Sequence, residues 1–417
     1  INLDPVNDGN YLQPFTLIQE SSGEVYIRIG DQKYLNGQDF IYYGNQETLQ
    51  EEQRQLYYVD QLIDATGYNE NKIAITAFPS SRDLQKFDKD SGTFFLISNK
   101  EEEANRKTFT FLKNASSKKI YFPSSPPALD DKSNMFFTSP KIIANALGIS
   151  SQKLLNWEKD PPSTKSLNKI KNRDIFYMTG KNYDTISTAN VLGMVKGSKY
   201  PQEVIVISAH YDHLGKIDST TYYPGADDDA SGVSAVLEIA EAFQLAKEKG
   251  DGPKRSILFL AFTGEEEGLF GSSYYADNPL ISLENTVANL NIDMIGRTDN
   301  FYEPETPYIY LIGSDKISQE LHRLSEEINH QTLQLQLDYR YNADDDPNRF
   351  YYRSDHYNFA RHGIPVIFYF NGTHEDYHEL SDTENKINYS LLQKRAQLIF
   401  FTAWELANRE TRLKIDK

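Results

Sequence analysis

Two continuous apolar runs, Val204-Ile205-Val206-Ile207 and Ile257-Leu258-Phe259-Leu260, constrain this chain more than any other feature. A run without polar alternation suits a strand covered on both faces, as in a parallel sheet whose crossover helices lie above and below it. The segment between the runs has helical spacing. Val233, Val236, Leu237, Ala240 and Phe243 recur after Ser231-Gly232, while Glu238, Glu241 and Lys247 can face water. From about residue 167 onward, apolar strands alternate with longer amphipathic segments, the signature of βαβ units and a largely parallel sheet. Residues 288–292 and 365–370 add two more strand candidates. A last helix, about Tyr389 to Asn408, carries Leu392, Ala396, Ile399, Ala403 and Leu406 on one stripe.

Most of these strands run into metal-type side chains. The segments are Ala209-His210-Tyr211-Asp212-His213, Gly225-Ala226-Asp227-Asp228-Asp229, Gly264-Glu265-Glu266-Glu267-Gly268, Ile292-Asp293-Met294 and Tyr377-His378-Glu379-Leu380-Ser381-Asp382. In open α/β sheets ligands gather beyond the carboxyl ends of the strands, and together the five segments read as a two-zinc hydrolase site. A zinc-bound imidazole needs its second nitrogen held, so His210 reads as a ligand and Asp212 as the carboxylate that orients it. Alone, Asp227 to Asp229 would cap the helix starting near Ser231. Three successive carboxylates exceed that need, and one shared between two cations would set them about 3.5 to 4 Å apart. Glu265 and Glu266 are adjacent and cannot occupy one spot, so one can bind metal while the other moves protons; by themselves they would read as an acidic helix start. Asp293 by itself would read as the cap of a turn.

Residues His374-Glu375-Asp376-Tyr377-His378 also match the H-E-x-x-H signature of a single-zinc site, which requires a helix. Here they follow a strand and the turn signal Asn371-Gly372, so no helix is expected. A single-zinc site would also leave the other four segments unexplained.

Composition narrows the function further. With 417 residues, 39% of them hydrophobic, the chain can bury a large core, and its length suggests two or three domains. A net charge of -17 disfavours a nucleic-acid or anionic-membrane partner. Cysteine is absent, which leaves His and carboxylate side chains as the route to a bound metal. No apolar stretch approaches the roughly 20 residues that span a bilayer. The chain starts at Ile1 without a signal peptide, and is read as trimmed. Residues 36–166 look like a separate β-rich domain, with strand candidates at Phe40 to Tyr43, Lys72 to Ala77, Thr93 to Ile97 and Lys119 to Phe122. A charged helix candidate lies near Glu101 to Lys113, and a Pro/Ser-rich linker at residues 160–166. Another strand candidate is Glu24 to Ile29.

Taken together, the five acidic and histidine segments resemble those of the zinc aminopeptidases of peptidase family M28, with Gly225-Ala226-Asp227-Asp228-Asp229-Ala230-Ser231-Gly232 an especially close fit. The resemblance implies an α/β fold of zinc-peptidase type, a mixed, mostly parallel sheet flanked by helices. It implies that His210 and Asp293 hold one Zn²⁺, Glu266 and His378 a second, that Asp228 bridges both, and that Glu265 is the general base. Asp212, Asp229 and Asp382 would support these ligands, and the Asp228-Asp229 peptide would be cis. Ser354-Asp355-His356 matches the family too; relatives place an oxyanion-binding tyrosine just before it. Tyr351 is the better match, with Tyr352 beside it leaving the choice open.

The β-rich stretch resembles a protease-associated (PA) domain, whose closing segment residues 138–144 fit. The expected organisation is an N-terminal segment of the peptidase domain at 1–35, its upstream helical portion missing, then a PA-like domain at 36–166 and the peptidase domain at 167–417. The implied activity is removal of the N-terminal residue from peptides with a free amino terminus, by a secreted or periplasmic enzyme. A carboxypeptidase, a dipeptidase, another amide hydrolase and a noncatalytic binding module stay open. Side-chain preference and oligomeric state are not legible in the sequence.

Overall fold

The computed structural model describes residues 1–44, 46–58, 72–77, 94–98, 118–126, 134–157 and 174–416. The chain forms two compact units, one of Thr16–Ile186 and one of Ile1–Phe15 with Ser187–Lys417.

In the first unit, the strand Leu12–Ile29 pairs antiparallel with Gln32–Leu35 and with Lys118–Tyr121. A second run of neighbours is Asp174–Val195, Glu52–Tyr58, Lys72–Ala77, Phe94–Ser98, Asn134–Thr138 and Phe40–Tyr43. Val25, Ile27, Phe40, Phe136, Ile143, Leu147, Ile175 and Tyr177 make its core. The division between units falls at Phe15/Thr16 and Ile186/Ser187, within the long strands Leu12–Ile29 and Asp174–Val195, whereas the sequence placed it at 35/36 and 166/167. The strands explain the shift, because Val25, Ile27, Ile175 and Tyr177 lie beyond the expected limits and pack into this core. The helix expected near Glu101 to Lys113 and the linker at 160–166 lie outside the described residues.

The second unit is built on a mixed sheet with strand order Gln336–Asp338, Tyr308–Ile312, Val366–Phe370, Thr286–Ile292, Tyr200–His210, Arg255–Phe262 and the end of Asp174–Val195. Four neighbouring strands in its centre, Val366–Phe370 through Arg255–Phe262, run parallel. Both faces are covered, as the unbroken apolar runs anticipate. Alternate residues point to opposite sides of a strand. Ile205 and Ile207 join Phe243, Leu398, Ile399 and Leu406 in one cluster, while Val204 and Val206 join Tyr275 and Phe359 in another. The covering helices are Gly232–Glu248 and Tyr389–Asn408 on the first side, and Phe270–Asp277 and His356–Ala360 on the second. Leu237, expected on the buried stripe of its helix, is 52% exposed, because the packed stripe runs through Ala235, Val236, Ile239, Ala240 and Phe243 instead.

The parallel strands all end toward one rim of the sheet, and the loops that leave them carry the acidic and histidine segments. Among the described residues no helix is long and apolar enough to cross a membrane.

Candidate metal centre

His210 is the last residue of its strand and is buried; Asp293 directly follows the strand Thr286–Ile292, and Glu265 and Glu266 leave the strand Arg255–Phe262 after a short turn. His378 lies in a turn beyond the strand Val366–Phe370 with a φ of 60°, so the H-E-x-x-H residues are not helical and that signature has no structural basis here. Asp228 enters from the loop before the helix Gly232–Glu248, and the Asp228-Asp229 peptide is cis. Gly225 starts this loop with a φ of 62°, where a Cβ would meet the His213 ring at 2.7 Å. That position needs glycine.

The Asp228 carboxylate has one oxygen in each of two clusters. Oδ1 is 3.1 Å from His210 Nε2, which is 3.7 Å from Asp293 Oδ1. Oδ2 is 3.2 Å from His378 Nε2, which is also 3.2 Å from Glu266 Oε2. Two ligands about 2.0 to 2.1 Å from a tetrahedral zinc are themselves about 3.3 Å apart, so these spacings fit a metal held between the side chains. The imidazole nitrogens agree with that. His210 Nε2 and His378 Nε2 are shielded from solvent yet have no hydrogen-bond partner, an arrangement that burial penalises unless something else takes the lone pair. The residues present therefore fit divalent cations of zinc type. Burial, reinforced by Asp293, Asp355 and Glu266, pushes the Glu265 carboxyl well above its ordinary value.

The surrounding groups fix these side chains. Asp229 accepts backbone N–H groups from His210, Gly232 and Met294, tying three segments together. Asp382 accepts from the N–H groups of Asp227 and Asp228 at 3.0 to 3.2 Å. Asp293 accepts the Ser354 hydroxyl at 2.7 Å, and Ser354 accepts from Asn291, which accepts from Ser208, which accepts from Asn289. Ser354 is the first residue of the tripeptide singled out in the sequence, and this contact gives it a task.

Two expectations change. The Asp212 carboxylate was expected to orient His210, but its nearest oxygen is 3.7 Å from His210 Nδ1, whereas the Asp212 main-chain carbonyl is at 3.0 Å. The carboxylate turns instead to the N–H groups of Glu265 and Glu266, at 3.2 and 3.4 Å. Tyr351 was favoured to face substrate. Its ring packs against His356 and Tyr357, and it is Tyr352 that lines the cavity over the clusters. That cavity has a volume of about 420 Å³; Asp228, Glu265, Glu266, Asp293 and His378 line it, together with an apolar wall of Met294, Phe350, Phe368 and Phe370.

Sequence reasoning gave His213 no role. Its Nδ1 is 2.7 Å from Glu266 Oε1, the oxygen turned away from His378, and 3.9 Å from Asp228 Oδ2. The distance to Glu266 is that of a hydrogen bond rather than the wider spacing of two ligands on one ion, so His213 holds Glu266 in place. The signal was available, since His213 stands three residues after His210 in the same strand-end segment. Replacing His213 by Ala is expected to leave the fold intact and weaken zinc retention about 10- to 100-fold, read by competition with a chelating dye. Unchanged affinity would show that Glu266 needs no such support.

A probable zinc metalloprotease of Pyricularia oryzae (strain 70-15) is 28% identical over 266 residues, covering 54% of this chain and 50% of that protein. Aminopeptidase YwaD of Bacillus subtilis (strain 168) is 27% identical over 248 residues, covering 57% and 49%. The chain thus spans about half the length of these curated relatives. An aminopeptidase structure from Aneurinibacillus sp. strain AM-1 shares the fold, with a TM-score of 0.52 and 20% identity over 97% of this chain and 86% of that one. The family model described as "Peptidase family M28" matches residues 190–403, more than half of the chain and every segment from His210 to His378. On that match the protein belongs to peptidase family M28.

Proposed function

We propose that the protein is a zinc-dependent aminopeptidase that binds two Zn²⁺ and hydrolyses the first peptide bond of substrates with a free amino terminus. The observation that carries this reading is the Asp228 carboxylate, whose two oxygens are divided between the His210/Asp293 and the Glu266/His378 clusters. His210 and Asp293 would hold one ion, Glu266 and His378 the other, with Asp228 common to both. The names of the Pyricularia and Bacillus relatives support zinc and aminopeptidase activity respectively.

Bound in this way, the cations supply Lewis acidity and a water acidic enough to attack near neutral pH. Glu265 lines the cavity beside Asp228, Glu266 and Asp293 without belonging to either cluster, which leaves its carboxylate free to accept a proton and return it. It would take the proton of the attacking water and deliver it to the leaving amine. Tyr352, which lines the cavity, would donate its hydroxyl to the carbonyl oxygen as charge develops there. Residues 16–186 form an accessory, PA-like module in this reading, and export belongs to it as well.

The test is metal analysis alongside a substrate panel. Two equivalents of zinc and cleavage of aminoacyl reporters, but not of their N-blocked counterparts, are expected. Equal cleavage of the blocked series would replace the aminopeptidase by another amide hydrolase, and a folded protein that retains no zinc would end the reading altogether.

A further inference from the structure

The cavity holds one feature that hydrolysis does not require. Among the described residues lining it, Arg353 carries the only guanidinium or ammonium group. Its Nη2 donates to the Tyr377 hydroxyl at 3.3 Å, and its guanidinium carbon lies 4.9 Å from the centre of the Phe350 ring. Tyr377 and Phe350 also line the cavity, so the head group is held against its wall from two sides. Among the described residues it forms no ion pair. Four residues earlier, Arg349 lies over the ring of Tyr352 at 5.0 Å, equally without an ion pair among those residues.

A guanidinium has five N–H donors in a planar fork that matches a carboxylate, and packing on a ring reduces the freedom it loses on binding one. Only one donor of Arg353 is engaged by Tyr377. The same cation repels a protonated amine or any other cationic group. A peptide bound in the cavity would therefore present anionic groups, and not cationic ones, to Arg353.

Resting on the aminopeptidase reading, we propose that Arg353 receives a carboxylate of the peptide substrate, so that the enzyme selects peptides with an anionic group close to the scissile bond. That carboxylate has two sources, the carboxyl terminus of a dipeptide or the side chain of an N-terminal glutamate or aspartate. Both present the same chemistry to the guanidinium.

The experiment is calorimetric binding to the zinc-loaded, full-length Glu265→Gln protein, with and without Arg353→Met. One pair of probes is Leu-Ala and Leu-Ala-amide; the other is glutamyl and glutaminyl anilide. Arg353 is expected to favour the carboxylate over its neutral isostere by about tenfold in one pair, which identifies the source. Arg353→Met should abolish that ratio, and Arg353→Lys, a point charge without the fork, should restore part of it. Equal binding within both pairs, or a ratio that survives Arg353→Met, overturns the inference. The wild-type enzyme tests the other reading separately: if it releases no N-terminal residue while Arg353 still discriminates in binding, the aminopeptidase assignment fails and the carboxylate site stands.

Discussion

Glu265→Gln is expected to keep its zinc and lose about 10²- to 10⁴-fold in kcat, the usual contribution of a positioned proton-transfer group. The substitution conserves size and removes the acceptor. The backbone of Glu265 stays anchored, because its N–H is given to Asp212, and neither cluster around Asp228 includes its side chain. Metal content and circular dichroism should therefore match the parent protein while turnover of a leucyl reporter collapses. Two results would count against the assignment: turnover close to the parent value, or loss of zinc in parallel with loss of rate. The second would make Glu265 a ligand and leave the proton carrier to be found elsewhere on the cavity wall.

Asp228→Ala should act on the metals themselves. Without that carboxylate, the first cluster keeps only His210 and Asp293, and the second only Glu266 and His378. Two protein ligands per ion fall short of the three that catalytic zinc sites normally supply. Zinc should drop from two equivalents to below one after dialysis against micromolar metal, and hydrolysis to background. Asp229 and Asp382 still tie down the neighbouring backbone, so the folded state should survive for the measurement. A variant that keeps both ions would show that the carboxylate is not shared.

Much of this arrangement is legible in one dimension. Unbroken runs such as Val204 to Ile207 and Ile257 to Leu260 announce buried parallel strands, and the helix Tyr389–Asn408 has the bounds its periodicity predicts. The residues gathered around Asp228 stand out because few uses other than a metal explain so many carboxylates and imidazoles immediately after strands. What is not legible depends on directions across turns. Asp212 has two kinds of oxygen, and only the path of the loop decides that its carbonyl meets His210 while its carboxylate meets the Glu265-Glu266 backbone. Tyr351 and Tyr352 are chemically alike, and a one-residue rotation in the short helical turn Phe350–Tyr352 decides which lines the cavity. Leu237 shows the same limit on a helix, where one position decides between core and solvent. The boundary between units was hidden for another reason, since extended strands carry no local mark where one core ends and the next begins.

The chain of amides and hydroxyls from Asn289 through Ser208, Asn291 and Ser354 to Asp293 runs through the buried interior of the sheet. Anyone seeking a hardier version of this protein would be tempted to swap those polar groups for aliphatic ones. Such swaps would exchange resilience for misdirection of a carboxylate several residues away, so heat tolerance and reactivity cannot be tuned separately at this rim.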